Sequence, residues 1–190
     1  MNESIRVEER NALVLEAVSA AAEELGIEWF VCGASARVFV CEYMKGMRPG
    51  RATGDLDFGV CVDSLAEYES LRQLLCDKYG FMPDPDRQAQ RLVCRENGLK
   101  IDVIPFGNYT GTSKTFRWGE EDGFEMNVLG FEEAYSSSIT LTVNETITIK
   151  VASYAEQFGL KLLAWEDRHT ARKEYEDSRD LKYYLQHAED

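Results

Sequence analysis

Apolar positions along the chain recur with two periods, and those periods mark out its elements. Over residues 8–25 they follow helical spacing, and Gly26 stands where such a helix would end. EWFVC, residues 28–32, is a short apolar strand running into Gly33-Ala34-Ser35, which opens a second helix through about Tyr43. Residues 45–54, rich in Gly and Arg, form a loop. DLDFGVCV, residues 55–62, then alternates as a strand does. Leu56, Phe58, Val60 and Val62 share one face; Asp55, Asp57, Gly59 and Cys61 share the other.

Ser64 with Glu67 makes a capping box for a helix reaching about Tyr79. Strands over 91–95 and 99–104 flank Asn97-Gly98, a strong hairpin signal. Residues 105–123 read as a loop. A second hairpin covers 139–151, turning at Asn144-Glu145, and two helices close the chain over 153–168 and 173–187. The expectation is a mixed α/β (α+β) domain: a core over residues 1–151 with a helical element, 152–190, packed on it.

Composition narrows the picture. The chain has 190 residues, 44% of them apolar, enough for one sizeable core. No apolar run reaches the ~20 residues of a membrane span. The opening MNESIRVEER has no signal-peptide core, so a cytoplasmic protein that binds no membrane is expected. Cys32, Cys41, Cys61, Cys76 and Cys94 are widely spaced with no C-x-x-C pair, as buried reduced thiols would be. A net charge of −13 repels nucleic acid, so an anionic substrate needs a local basic surface. Lys45, Arg48 and Arg51 could supply one, as could Arg168, Arg172 and Lys173; the alternative is ordinary solvated charge.

The candidate chemistry lies in three acids. With 34 Asp and Glu in the chain, acidic-x-acidic pairs arise by chance about six times. Glu67/Glu69 in a helix and Asp84/Asp86 in a Pro-rich turn are solvated decoration. Asp55 and Asp57 differ, because they sit side by side at the head of an otherwise apolar strand. Neighbouring carboxylates oppose each other's ionisation, and burial adds to the cost. A cation or water must meet them. Asp102, between Ile101 and Val103, repeats the oddity, although pairing with an arginine would also explain it. Three oxygen ligands suit Mg²⁺, as one ion or as two that clamp a phosphoryl displacement. Upstream, Gly33-Ala34-Ser35 lies at a strand-to-helix turn where backbone N–H groups and the Ser35 hydroxyl can hold phosphate.

A small-residue turn, D-x-D on the next strand and a later third Asp resemble the polymerase-beta-like nucleotidyltransferase superfamily. The string Arg51-Ala52-Thr53-Gly54-Asp55-Leu56-Asp57, with Asp102 in IDVIPFG, is most similar to the AbiEii/AbiGii-type branch. So is the tail: Gly159 to Trp165 (GLKLLAW), then Arg168, Lys173, Asp177 and Asp180. The likeness spans residues 30–185. It departs at Ala34, where the branch often has Gly, in the long interval from Gly33 to Asp55, and in the loose Lys173–Asp177 spacing.

The resemblance implies a mixed sheet flanked by helices with a C-terminal helical element. Asp55, Asp57 and Asp102 would be catalytic and bind Mg²⁺, with Asp102 either third ligand or base. Gly33, Ser35, Arg51, Thr53 and Lys161 would bind the NTP, and Asp177 or Asp180 would lie near it and accept a proton. For these tail residues a surface ion pair and a snorkelling lysine are the competing readings. The implied reaction moves an NMP from NTP to an acceptor hydroxyl on an RNA end such as tRNA, or on a protein. Such an enzyme would be the toxin of a toxin–antitoxin pair, with an antitoxin protein as partner. The alternatives are a non-catalytic nucleotide sensor and a protein-interaction module on the same fold.

Overall fold

The computed structural model describes residues 3–47, 54–85, 90–118, 124–167 and 171–187. The strands are β1 (Glu3–Ile5), β2 (Glu28–Cys32), β3 (Asp55–Cys61), β4 (Phe81–Pro83), β5 (Arg91–Cys94), β6 (Lys100–Phe106), β7 (Thr115–Trp118), β8 (Phe124–Asn127), β9 (Ile139–Val143) and β10 (Ile147–Val151). The helices are α1 (Glu9–Leu25), α2 (Gly33–Arg37), α3 (Leu65–Asp77), α4 (Phe131–Ser136), α5 (Tyr154–Asp167) and α6 (Ala171–Gln186). After Arg37, α2 widens into a π-helix over Val38–Met44.

Among the described residues one mixed sheet runs β1-β9-β10-β2-β3-β6-β5-β4, with β7 and β8 paired apart from it. At its centre β2 and β3 are antiparallel and β3 and β6 parallel. Alternation on β3 holds as the sequence implies: Leu56, Phe58 and Val60 are buried while Asp55, Asp57 and Cys61 are half-buried. The helices form two groups by contact, α1 with α3 and α5 with α2, α4 and α6.

Local signals act where expected. Gly26 ends α1 at φ 69°, accepting the left-handed conformation that a β-carbon disfavours. Ser64 caps α3 through Glu67 N–H at 3.1 Å. Glu67 Oε2 returns a bond to the backbone N–H of Asp63, one residue before the cap, at 2.7 Å. The 139–151 hairpin turns at Asn144 and Glu145, both at positive φ. All five cysteines are free thiols.

The stretch over 105–123, read as a loop from sequence, is largely structured. β6 continues through Pro105 because β5 pairs with it only as far as Asp102, so a proline there interrupts no ladder on that side. Beyond it Phe116 and Trp118 of β7 pack on Tyr68 of α3 at 5.3 and 6.4 Å. The Tyr68 hydroxyl donates to the Val103 carbonyl and accepts from Trp118 Nε1. Such anchoring is tertiary. β1, β4 and α4 also escape the periodic reading, each being six residues or shorter.

Gly59 is needed for space. A β-carbon there would lie 2.3 Å from Phe30 Cε1, and Phe30 is packed edge-on against Phe106, Phe131 and Tyr135. Gly59→Ala should therefore lower stability by about 1–3 kcal/mol, the usual cost of overpacking. Urea unfolding should show a lower midpoint at an unchanged slope; a variant as stable as the parent would mean that Phe30 can move.

Candidate active site

The site begins at the head of β3. Register places Asp57 beside Cys32 of β2 on one side and beside Asp102 of β6 on the other. Asp57 and Asp102 thus stand on one sheet face, one strand apart. Asp55 follows on the same face, two residues earlier in β3.

The turn from β2 into α2 closes over Asp57. Gly33 has φ 59°, and a β-carbon on it would lie 2.4 Å from Asp57 Oδ2. This glycine therefore makes room for the carboxylate. Ser35, fully buried, donates its hydroxyl to the Cys32 carbonyl at 2.8 Å and accepts the Asp57 backbone N–H at 3.0 Å. The sequence reading gave this hydroxyl to a phosphate; here its proton goes to the Cys32 carbonyl. Ser35 thereby ties the α2 turn to β3.

Burial, reinforced by the charges of Asp55 and Asp102, pushes the Asp57 carboxyl up to about 7. The bond with Ser35 and the charge of Lys161 only partly offset this. Burial, and then the Asp57 charge, likewise raises the Cys32 thiol well above its ordinary value, so it remains a neutral wall.

Arg91 was not legible as a site residue. It stands on β5 directly opposite Asp102. Its Nε donates to Asp102 Oδ1 at 2.7 Å and its Nη2 to Asp102 Oδ2 at 2.8 Å. Nη2 also reaches Asp55 Oδ2 at 3.1 Å. The arginine alternative for Asp102 is therefore realised within the site and on the acidic face. A polar residue in a half-apolar strand, RLVC, is the one local signal that could have pointed to it.

The tail residues separate into two roles. Lys161 of α5 lines a cavity of about 490 Å³ together with Gly33, Asp57, Arg91 and Asp102. Met126, Leu129, Phe131, Leu160 and Leu163 supply an apolar wall to the same cavity. Asp177 and Asp180 of α6 are not among the residues that line it. Lys161 Nζ bridges Asp177 Oδ1 and Asp180 Oδ2, each at 3.1 Å. Asp180 Oδ1 accepts Arg37 Nη1 from α2 at 2.7 Å. Burial pushes Asp180 up, but Arg37 and Lys161 outweigh it and hold the carboxyl below its ordinary value.

Two cations and two anions thus close a buried network joining α2, α5 and α6. Arg37, also invisible as a site residue, is 1% exposed. Arg51 and Thr53, like Arg48 and Arg168, lie outside the described residues, as do the side chains of Arg172 and Lys173.

Paired acids on a central strand, a glycine turn against them and a cleft closed by a helical tail are the plan of a nucleotidyltransferase. The fold agrees. The chain is similar to an antigenic nucleotidyltransferase-like protein from Paracoccidioides brasiliensis, with 19% identity and a TM-score of 0.57 over 92% of this chain and 76% of that one. It is also similar to the antibiotic-resistance factor ANT(2'')-Ia, with 14% identity and a TM-score of 0.50 over 94% and 86%. No curated protein matches the chain significantly. Residues 18–190 match the family described as Nucleotidyl transferase AbiEii toxin, Type IV TA system, and the chain belongs to that family. It is a nucleotidyltransferase. None of its described helices is long and apolar enough to cross a membrane.

The raised Asp57 carboxyl has a measurable consequence. Its folded value of about 7 exceeds the ordinary 3.8, so between those pH values the folded chain keeps a proton that the unfolded chain releases. Without divalent cations, stability should therefore fall as pH rises from about 4 to about 7. Asp57→Asn should remove this fall and match or exceed the parent above pH 7, as scanning calorimetry across pH would show. The same slope in the variant would assign it to another group.

Proposed function

We propose that the cavity binds a nucleoside triphosphate with Mg²⁺ and transfers its nucleotidyl group to an acceptor hydroxyl, releasing pyrophosphate. One observation carries this reading: the carboxylates of β3 and β6 meet on one sheet face, and Lys161 lines the cavity into which Asp57 and Asp102 open.

Among the described residues no three acids, histidines or cysteines form a ready chelate. The donors nonetheless fit the ion, since they are carboxylate oxygens alone and Asp57, raised by burial and then by the charges of Asp55 and Asp102, would be relieved by a cation. Asp55 and Asp57 would hold it. When bound, the ion supplies positive charge that offsets the triphosphate's developing negative charge.

The chain's own residues do the rest. The turn at Gly33 brings backbone close to Asp57 and would seat phosphate beside it. Lys161, fixed between Asp177 and Asp180, presents its ammonium at the cavity wall without having to search for a conformation. The apolar wall of Met126, Leu129 and Phe131 suits the base or the acceptor and excludes water. Residues 1–151 form the catalytic core in this reading, and 152–190 the helical element that closes the cleft.

The acceptor is an RNA end, such as that of tRNA, or a protein. In the cell the chain would act in the cytoplasm as the toxin of a type IV toxin–antitoxin pair, beside an antitoxin. A nucleotide sensor is the second reading, favoured by the hold of Arg91 on two of the three acids.

Pyrophosphate release from each NTP with Mg²⁺, across RNA and protein acceptors, separates the two. Asp57→Asn should abolish turnover and leave the chain folded. An active variant, or a parent that binds NTP without ever releasing pyrophosphate, would overturn the transferase reading. Lys161→Ala should weaken NTP binding by a few kcal/mol, the scale of a charge-assisted contact in a partly desolvated site. Because it also strips a cation from two buried acids, it belongs beside Lys161→Ala/Asp177→Asn, which keeps the network neutral. Calorimetric titration should find the loss in both, shrinking as salt rises. Normal binding by the double variant would reduce the α5–α6 element to a scaffold.

A further inference from the structure

We infer that the outer face of α6 carries a second ligand site, which takes a nucleotide with its base on the Tyr175 ring and its phosphate between Arg179 and Lys182. The site is separate from the transfer cavity, with which it shares no lining residue.

Tyr175, Arg179, Lys182 and Gln186 recur at helical spacing along α6 and line one cleft of about 380 Å³. All four are exposed, Tyr175 by 64%. Asp180 borders the cleft, but Arg37 and Lys161 already hold its two oxygens, and Asp177 is buried against Lys161. Arg179 and Lys182, by contrast, make no ion pair among the described residues. In a chain where 34 acids outnumber 21 bases, two neighbouring cations left unpaired concentrate positive charge against the net field.

The rest of the lining selects the anion. The Arg179 guanidinium lies 5.9 Å from the centre of the Tyr175 ring, and that of Arg37 lies 5.5 Å from the centre of the Tyr183 ring. Cation and ring therefore alternate along the cleft. Arg179 follows Tyr175 by one turn, ~6 Å along the axis, which sets a stacked base beside its own phosphate. Gln186 adds an amide that can donate to phosphate or sugar. Among the described residues no aliphatic side chain lines the cleft, so a lipid tail has nothing to bury against. Exposed rings beside uncommitted cations hold nucleotide units through stacking and charge, whatever the base. The occupant is a free nucleotide or one unit of a single strand.

Calorimetric titration of the full chain in EDTA tests this with three probes: AMP, inorganic phosphate and a 5′-phosphorylated oligoadenylate RNA. AMP should bind the parent, and phosphate should bind about tenfold more weakly for want of stacking. Tyr175→Ala should weaken AMP by about tenfold and leave phosphate unchanged. Arg179→Ala/Lys182→Ala should abolish the binding of both. RNA tighter than AMP identifies a strand as the occupant and equal affinity a free nucleotide, and either result supports the site. A parent that binds none of the probes would overturn the inference, as would AMP binding that survives in the double variant. The α,β-methylene analogues of ATP and GTP, each with Mg²⁺, separate this site from the transfer cavity. The analogue that the transfer cavity accepts should fill two sites in the parent and one in the double variant. A single site that the double variant keeps would remove the second site and leave the transfer reading standing. With both analogues, a single site that the double variant loses would sink the transfer reading and leave this site in place.

Discussion

Asp57 and Asp102 are neighbours across the parallel β3/β6 ladder, and two carboxylates held that close in a half-buried site repel each other. The surrounding structure answers that repulsion in distinct ways. Arg91, opposite Asp102 on the other flanking strand, neutralises one acid and steadies Asp55. Asp57, raised first by burial and then by the charges of Asp55 and Asp102, holds its proton up to about pH 7. Gly33 gives its carboxylate the room to sit there, and Ser35 pins the backbone from which it projects. A site arranged this way is unfavourable when empty of cations at neutral pH, and that is the property a nucleotide–metal complex would draw on.

The second organising interaction is the Arg37–Asp180–Lys161–Asp177 network. Its side chains are 1, 8, 18 and 2% exposed, and removing one charge from so buried a network costs several kcal/mol. It connects α2, which begins at the Gly33 turn, to the helices that bear Lys161. The tail is thereby fastened to the turn beside β3. An acidic protein must concentrate positive charge wherever it meets an anionic ligand, and this network holds a lysine at the cavity wall.

The apolar side of the cleft arises differently. Met126 follows β7 and its aromatic anchors on Tyr68, and Phe131 packs on Phe30 at 6.1 Å. The wall thus depends on contacts with α3 and β2, far away in sequence. Met126, Leu129 and Phe131 follow the stretch over 105–123 that reads as a loop, and Leu160 and Leu163 come from α5.

What the sequence determined by itself is local. Helix ends at Gly26 and Ser64, the alternation of β3, both hairpin turns and the grouping of Asp55 with Asp57 all follow from residues within a few positions of one another. Asp102 was marked by its isolation in an apolar strand. The tertiary structure decided the partners. Arg91 meets Asp102 across 11 positions, Arg37 meets Asp180 across 143, and Ser35 meets Asp57 across 22. Periodicity carries no information about such pairs, because strand order and register, set by burial of the whole sheet, choose which distant polar groups coincide. For the same reason the sequence, which marks Asp177 and Asp180 as candidate acids, carries no sign that both pair with Lys161 in the folded chain.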